Sequence, residues 1–182
     1  MVVVDLGFCP RCGGTLEPCD GGGEHRSCCT LCDNVVFENP SPIVVATVVD
    51  DNHALFVRRA RAPDKGAWSM PGGYLELGET LQEGAARELY EETHVDVDPG
   101  DLAFVGTEYV ELGDDRAVVD LIFAVPREKT SGEPVAGDDA ADVRYWTRAE
   151  IAENPPELRA GDPETILWAI DSLGTPERSP LW

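Results

Sequence analysis

The sequence predicts an α/β or α+β sandwich of layers behind a small N-terminal segment held together by cysteines. Three observations predict it. All six cysteines, at 9, 12, 19, 28, 29 and 32, fall at the start of the chain. The remainder carries several apolar strand-like runs and few helix-like ones. With 182 residues, 42% of them apolar, the chain can bury a core without disulfide help.

Residues 1–38 hold every cysteine, with eight glycines or prolines between Gly7 and Gly23. Such a segment cannot build a core by burial alone and needs another staple. Asn39-Pro40-Ser41-Pro42 reads as a short stiff linker, because proline fixes φ and biases its predecessor to extended backbone. Two domains follow from this division, 1–38 and 39–182. Ile43–Val49 is a β-branched run, Asp50-Asp51-Asn52 is turn chemistry, and His53–Arg58 runs back, which predicts a hairpin. Glycine and proline punctuate 63–73. Thr80–Thr93 has helical spacing, opened by a capping box of Thr80 with Glu83. Leu102–Leu112 and Arg116–Val125 read as strands around Gly113-Asp114. Residues 126–141 read as loop and Asp142–Trp146 as a short strand. Glu164–Leu173 reads as a helix with Pro163 at its first turn.

Charge narrows the function. Fourteen basic residues face 35 acidic ones, a net charge of −21. That field repels phosphate backbones and disfavours a nucleic-acid-coating role. The acids are spread along the whole chain, and only Lys65 and Lys129 are lysines. Such a surface suits a protein that must stay solvated in high salt, or simply an acidic cytosolic one. No run is long and apolar enough to span a bilayer, and the N-terminus has no basic, apolar leader pattern, so the expectation is a cytoplasmic protein.

Cys9-Pro-Arg-Cys12 and Cys29-Thr-Leu-Cys32 are CxxC pairs separated by 16 residues. Each such turn points two thiolates at one metal, and the spacing fits a structural zinc site closed by Cys9, Cys12, Cys29 and Cys32. Cys28 could replace Cys29, although only Cys29 keeps the CxxC spacing. Cys19 is left without a role. Arg11, His25 and Arg26 are too few for a phosphate-tracking surface on this segment.

In the helix, Glu88, Glu91 and Glu92 fall within an arc of ~100°. Three carboxylates so close repel one another, and a hard cation with oxygen ligands is the natural offset. Leu81, Ala85 and Leu89 border the same arc, so the acidic edge adjoins the buried face. The plainer reading is an exposed acidic helix with an Arg87–Glu91 pair at i,i+4.

The longer string decides between them. From Gly73 to Val95 it resembles the Nudix box, Gx5Ex7REUxEExGU with U a bulky aliphatic. Gly73, Glu79, Arg87, Glu88, Leu89, Glu91, Glu92 and Val95 match in register. His94 stands where the family has glycine, at a position expected to be left-handed, which histidine enters at a cost of ~1 kcal/mol. Upstream, Trp68–Gly73 resembles the family's W-x-x-P-G-G lead-in. The resemblance covers about residues 43–173 and implies an α/β/α sandwich around a mixed sheet. It implies a hydrolase that splits the pyrophosphate of a nucleoside diphosphate linked to a further moiety, with ADP-ribose or a similar nucleotide sugar favoured. Glu88, Glu91, Glu92 and the Gly73 carbonyl would hold catalytic Mg²⁺ or Mn²⁺. Arg87 would orient a carboxylate, Glu91 for preference, and Glu79 would support the helix and metal shell.

A general base could come from the box or from the acid-rich stretch Gly137–Trp146, where Asp138, Asp139 and Asp142 are candidates beside the reading of solvated loop acids. Glu108, Glu111 and Asp120 are further ones. Arg58, Arg59 and Arg61 form the densest basic cluster. Their planar forks suit a phosphate, or they are only surface. Trp68, Tyr109 and Trp146 could stack on a base or belong to the core. A zinc segment ahead of the box is also the layout of NADH pyrophosphatases, but their S-Q-P-W motif is absent and the single glutamine is Gln82. The expectation is a small nucleotide-derived substrate, with damaged nucleoside triphosphates and capped RNA still open, no membrane partner, nucleic acid disfavoured by charge, and a homodimer as an option. The alternative is a nucleotide-sensing module of the same fold.

Overall fold

The computed structural model describes residues 7–19, 26–62, 64–113, 116–153, 158 and 163–173. The chain divides into two compact units, Met1–Pro40 and Ser41–Trp182.

The smaller unit is a three-stranded antiparallel sheet of β1 (Leu16–Pro18), β2 (Arg26–Cys29) and β3 (Val35–Phe37). Its strands are short and expose Val35 and Phe37, so burial alone does not hold it together. Two tight turns flank the strands. Cys9 N–H donates to the Gly14 carbonyl and Cys29 N–H to the Asn34 carbonyl.

The larger unit is built on a mixed sheet. Its elements are β4 (Ser41–Asp50), β5 (His53–Arg59), β6 (Trp68–Ser69), β7 (Gly72–Tyr74), α1 (Leu81–Thr93), β8 (Asp96–Val97), β9 (Ala103–Gly113), β10 (Arg116–Pro126), β11 (Thr130–Ser131), β12 (Ala140–Thr147), α2 (Arg148–Glu153) and α3 (Pro163–Leu173). The main sheet runs β12-β5-β4-β10-β9. β4 and β10 are parallel, while β9–β10 and β5–β12 are antiparallel.

Strand β4 explains the layering. It is buried from Val44 to Val49, and its side chains alternate between two cores. Val44, Ala46 and Val48 face Ala85 and Leu89 of α1. Val45 and Val49 join Trp146, Ile151, Ile166 and Ile170 on the side of α2 and α3. Helices therefore cover both faces of a mixed sheet, as the resemblance implied. Thr47, buried in the same strand, satisfies its hydroxyl on the Leu55 carbonyl at 3.0 Å.

Several elements depart from the sequence reading. The linker Asn39–Pro42 ends as strand, since β4 starts at Ser41 and runs beside Val118 and Val119 of β10. The predicted hairpin is paired only next to its turn, Val49 with Ala54 and Asp50 with His53. Beyond that β4 and β5 part, and the punctuated 63–73 region supplies two short strands. β6 pairs with β5, and β7 pairs with β4 through Ile43–Tyr74, Val44–Gly73 and Val45–Gly72. Within 126–141, β11 pairs with β8 and β12 begins at Ala140. The short α2 falls where no helix is expected from the sequence.

Candidate active site

The parting of β4 and β5 brings Gly72 and Gly73 against α1. A side chain at Gly72 would collide with the Val44 carbonyl and the Val45 backbone. A Cβ at Gly73 would lie 2.5–2.7 Å from the carboxyl of Glu88. Gly72 must be glycine for β7 to pass so close to β4, and the missing side chain at Gly73 leaves room for the Glu88 carboxyl.

Helix α1 begins as its sequence predicts. The Thr80 hydroxyl accepts from Glu83 N–H at 3.3 Å, and Glu83 Oε2 accepts from Thr80 N–H at 2.8 Å, which is a capping box. Ala85 and Leu89 are fully buried, and this orients the acidic arc. The helix ends at His94, which takes φ 56° and ψ 18°, the left-handed conformation its glycine-like position demands.

Arg87 is the organising cation. Its Nε and Nη2 form a fork on Glu79, at 2.7 and 3.1 Å. Nη1 donates to Glu88 at 2.7 Å and to Glu91 at 3.2 Å, and Nη2 also reaches the Tyr74 carbonyl at 3.2 Å. The expected Arg87–Glu91 contact is present, but it is the longest of the three ion pairs, to the most exposed carboxylate. Glu79 takes the fork because its backbone turn points it inward, with Oε2 also accepting from Glu76 N–H at 2.9 Å. The bonds from Arg87 and the Glu76 amide hold the Glu79 carboxyl below its ordinary value.

Glu92 lies apart from this network. Its Oε2 accepts from Gly72 N–H at 3.2 Å. Burial pushes its carboxyl up to about 7; the Gly72 bond and Arg59 oppose that rise, and the charges of Glu88 and Asp139 add to it. Burial also raises Glu88, against the pull of Arg87. Among the described residues, the three box carboxylates do not converge as tightly as the cysteines below. Arg87 draws Glu88 and Glu91, while Gly72 holds Glu92.

The other candidates separate clearly. Arg59 and Asp139 act electrostatically on Glu92. Asp139 is also ion-paired to Arg61 at 2.6 Å, and its carbonyl accepts from Ala60 N–H. Arg58 Nε donates to the Gly66 carbonyl at 3.1 Å on the surface. Asp142 is exposed, opposite Arg58 in the β5–β12 register, with Oδ1 turned back onto Val143 N–H. Asp138 is exposed at φ 35°. Glu108 and Asp120 face each other across β9 and β10, and Glu111 faces Ala117. Trp68 and Trp146 are buried in the core, ring centroids 5.8 Å apart, whereas Tyr109 is exposed. Arg144 covers the Trp146 ring at 4.1 Å.

In the smaller unit, the Sγ atoms of Cys9, Cys12, Cys29 and Cys32 all lie within 4.8 Å of one another. The Cys9–Cys32, Cys12–Cys29 and Cys12–Cys32 separations are 3.8, 3.5 and 3.3 Å. Burial works to raise the Cys9 thiol, but amides of Arg11 and Cys12 outweigh it and bring it down to about 7. Cys28 does not join the quartet. It forms a disulfide with Cys19. Successive residues of a strand point to opposite faces, so Cys28 and Cys29 of β2 cannot serve one site. That period-2 rule was the available signal for a separate Cys19–Cys28 pair. The role of Gly72 was signalled only by the glycine run in which it lies, and no local pattern announces its bond to Glu92.

The NUDIX domain family model matches residues 40–169. A MutT-like protein of Streptomyces ambofaciens is 36% identical over 143 residues, 75% of this chain and 82% of that protein. An ADP-ribose pyrophosphatase of Methanocaldococcus jannaschii is 32% identical over 133 residues, 72% of this chain and 73% of that one. Among solved structures, a NUDIX hydrolase from Nitrosomonas europaea superposes with a TM-score of 0.68 at 26% identity, covering 91% of this chain and 90% of that one. The chain belongs to the Nudix family.

Proposed function

We propose that this protein is a divalent-metal-dependent pyrophosphohydrolase that cleaves a nucleoside diphosphate linked to another moiety, with ADP-ribose or a close relative as substrate. Pyrophosphate hydrolysis accords with its family and with its pyrophosphatase relative. One observation carries the metal requirement: a single guanidinium, Arg87, serves Glu79, Glu88 and Glu91, while Glu92 is half-buried beside them with an amide and a more distant arginine. Arg87 and the more distant Arg59 against four carboxylates still leave a negative excess that burial penalises, and a hard dication with oxygen ligands fits that donor set.

Glu88, Glu91, Glu92 and the Gly73 carbonyl would hold Mg²⁺ or Mn²⁺. Bound there, the metal supplies polarisation of the phosphoryl oxygens and a more acidic attacking water. Arg87 holds Glu88 and Glu91 in place and keeps Glu79 ionised behind them. The Gly72 amide orients Glu92. Asp139, whose charge Glu92 feels, would be the loop acid that accepts the proton of that water, ahead of the exposed Asp142. Arg59 is the basic residue placed to meet a phosphate, ahead of Arg58.

The same proposal includes a zinc ribbon over residues 1–38, with 39–182 as the hydrolase domain. At a Zn–S bond of about 2.3 Å, a tetrahedral site has sulfur–sulfur edges of about 3.8 Å. The observed 3.3–3.8 Å separations agree. All four ligands come from the chain, so the zinc is structural.

A hydrolysis panel tests the function. ADP-ribose, NADH, FAD, a diadenosine polyphosphate and an oxidised deoxynucleoside triphosphate are each offered with Mg²⁺ or Mn²⁺, with Glu92→Gln as control. Metal-dependent cleavage of ADP-ribose, lost in the variant, is the expected result. Preference for NADH moves the substrate, and tight binding of one compound with cleavage of none replaces the enzyme by a sensor.

A further inference from the structure

His94 is the one position in the box pattern that departs from glycine, and its ring is engaged. Nδ1 lies 3.1 Å from the Val135 carbonyl. A carbonyl can only accept, so Nδ1 carries the proton and donates. The ring lies edge-on to Tyr90, with centroids 5.9 Å apart. On its other side is Gly137, where a Cβ would come within 2.6 Å of His94 Cε1 and 2.5 Å of the Glu91 carbonyl. The backbone of the same loop closes the helix end. Val135 N–H donates to the Thr93 carbonyl at 2.9 Å and Gly137 N–H to the Glu92 carbonyl at 3.0 Å. Two carbonyls that every helix C-terminus leaves open are thereby satisfied from a segment some forty residues away. Asp139 follows two residues later.

We propose that His94 is a positioning residue: its left-handed backbone and its ring together clamp the 133–139 loop to the end of α1, and so set Asp139 against the carboxylates. A glycine at 94 supplies the backbone turn but not the ring contact. β11 and β8 hold only Thr130 and Ser131, upstream of the loop, while its downstream end is anchored where Ala60 N–H donates to the Asp139 carbonyl at 2.8 Å and Ala140 pairs with Arg59; the His94 clamp fixes the stretch between them. The part played in turnover rests on the hydrolase reading above; the hold on the loop does not.

The test compares His94→Gly and His94→Asn with the full-length wild type. Glycine relieves the left-handed backbone, so His94→Gly folds and melts no lower than wild type. Its Val135 and Gly137 amides exchange about fivefold faster, as for the loss of one hydrogen bond. Its kcat on ADP-ribose with Mg²⁺ falls by about tenfold or more while KM stays within about twofold, as expected for a displaced group rather than lost binding. His94→Asn, which tolerates the left-handed region and keeps a donor, restores most of both. Wild-type exchange in His94→Gly overturns the clamp, and faster exchange with unchanged kcat overturns the positioning role. If the wild type cleaves nothing, the hydrolase reading falls while the exchange comparison still decides whether His94 holds the loop.

Discussion

Replacing Glu92 by glutamine should stabilise the metal-free protein and abolish its activity. Glu92 Oε2 accepts one amide bond, from Gly72, and glutamine can keep it through its carbonyl oxygen. What the substitution removes is a half-buried negative charge. The Glu92 carboxyl is raised from 4.5 to about 7, chiefly by burial. At about 1.4 kcal/mol per pH unit, that rise is an upper bound of ~3.5 kcal/mol against the ionised folded state. The sign is that of a raised carboxylate. The folded form holds its proton between about 4.5 and 7 while the unfolded form has lost it. Wild-type stability therefore falls as pH rises through that window, and the penalty is full above it. In chelator at pH 8, Glu92→Gln should melt higher by a few degrees, since ~1 kcal/mol corresponds to roughly 2–4 °C for a chain of this size. At pH 4.5 the advantage should vanish. With Mg²⁺ the order should reverse, because only the wild type gains from binding. Turnover should drop by about 100-fold or more. Calorimetry at both pH values, with and without Mg²⁺, reads all of this. Equal melting in chelator at pH 8 together with near-normal turnover would refute both the burial argument and the metal assignment.

Other consequences are direct. Arg87→Lys keeps the charge but loses the fork on Glu79, so it should lower melting by a few degrees and activity by about tenfold or more, and Arg87→Ala should do worse on both; wild-type kinetics in the lysine variant would show the fork to be idle. Metal analysis of protein purified without chelator should find one zinc per chain, and Cys29→Ser should lose it and raise amide exchange across residues 7–37 while the melting of the larger unit holds; zinc-free protein with a protected ribbon would defeat the site. With 35 acids against 14 bases, molar salt should raise the melting temperature by screening self-repulsion, and no rise over dilute buffer would end the salt-adapted reading.

Much of the fold was legible because it is locally encoded. The capping box, the 3.6-residue spacing of Ala85 and Leu89, and the β-branched run of β4 each involve neighbours on one element. The same locality explains the errors. Ile43–Arg58 looks like a full hairpin because its pattern alternates on both sides of a good turn, yet β7 displaces β5 from half of β4. Nothing in Gly72-Gly73-Tyr74 resembles a strand, since its pairing depends on how closely two backbones can pass. The polar 126–141 stretch reads as loop although parts of it pair, because β11 and the start of β12 draw their partners from distant segments.

The sequence by itself determined the acidic helix with its family register, the two CxxC pairs, the boundaries of α1 and α3, and the layered class. All of these are fixed by residue type and spacing within one segment. The tertiary structure alone decided what holds each carboxylate. Glu92 meets an amide twenty residues upstream, Arg87 prefers Glu79 to its helical neighbour Glu91, and Asp139 is held by Ala60 and Arg61 of a distant segment. It also joined Cys28 to Cys19, a pair that the CxxC spacing leaves over. The physical reason is common to all of these. Charge interactions and burial depend on distances between segments, and those distances are set by strand pairing and close packing rather than by position along the chain.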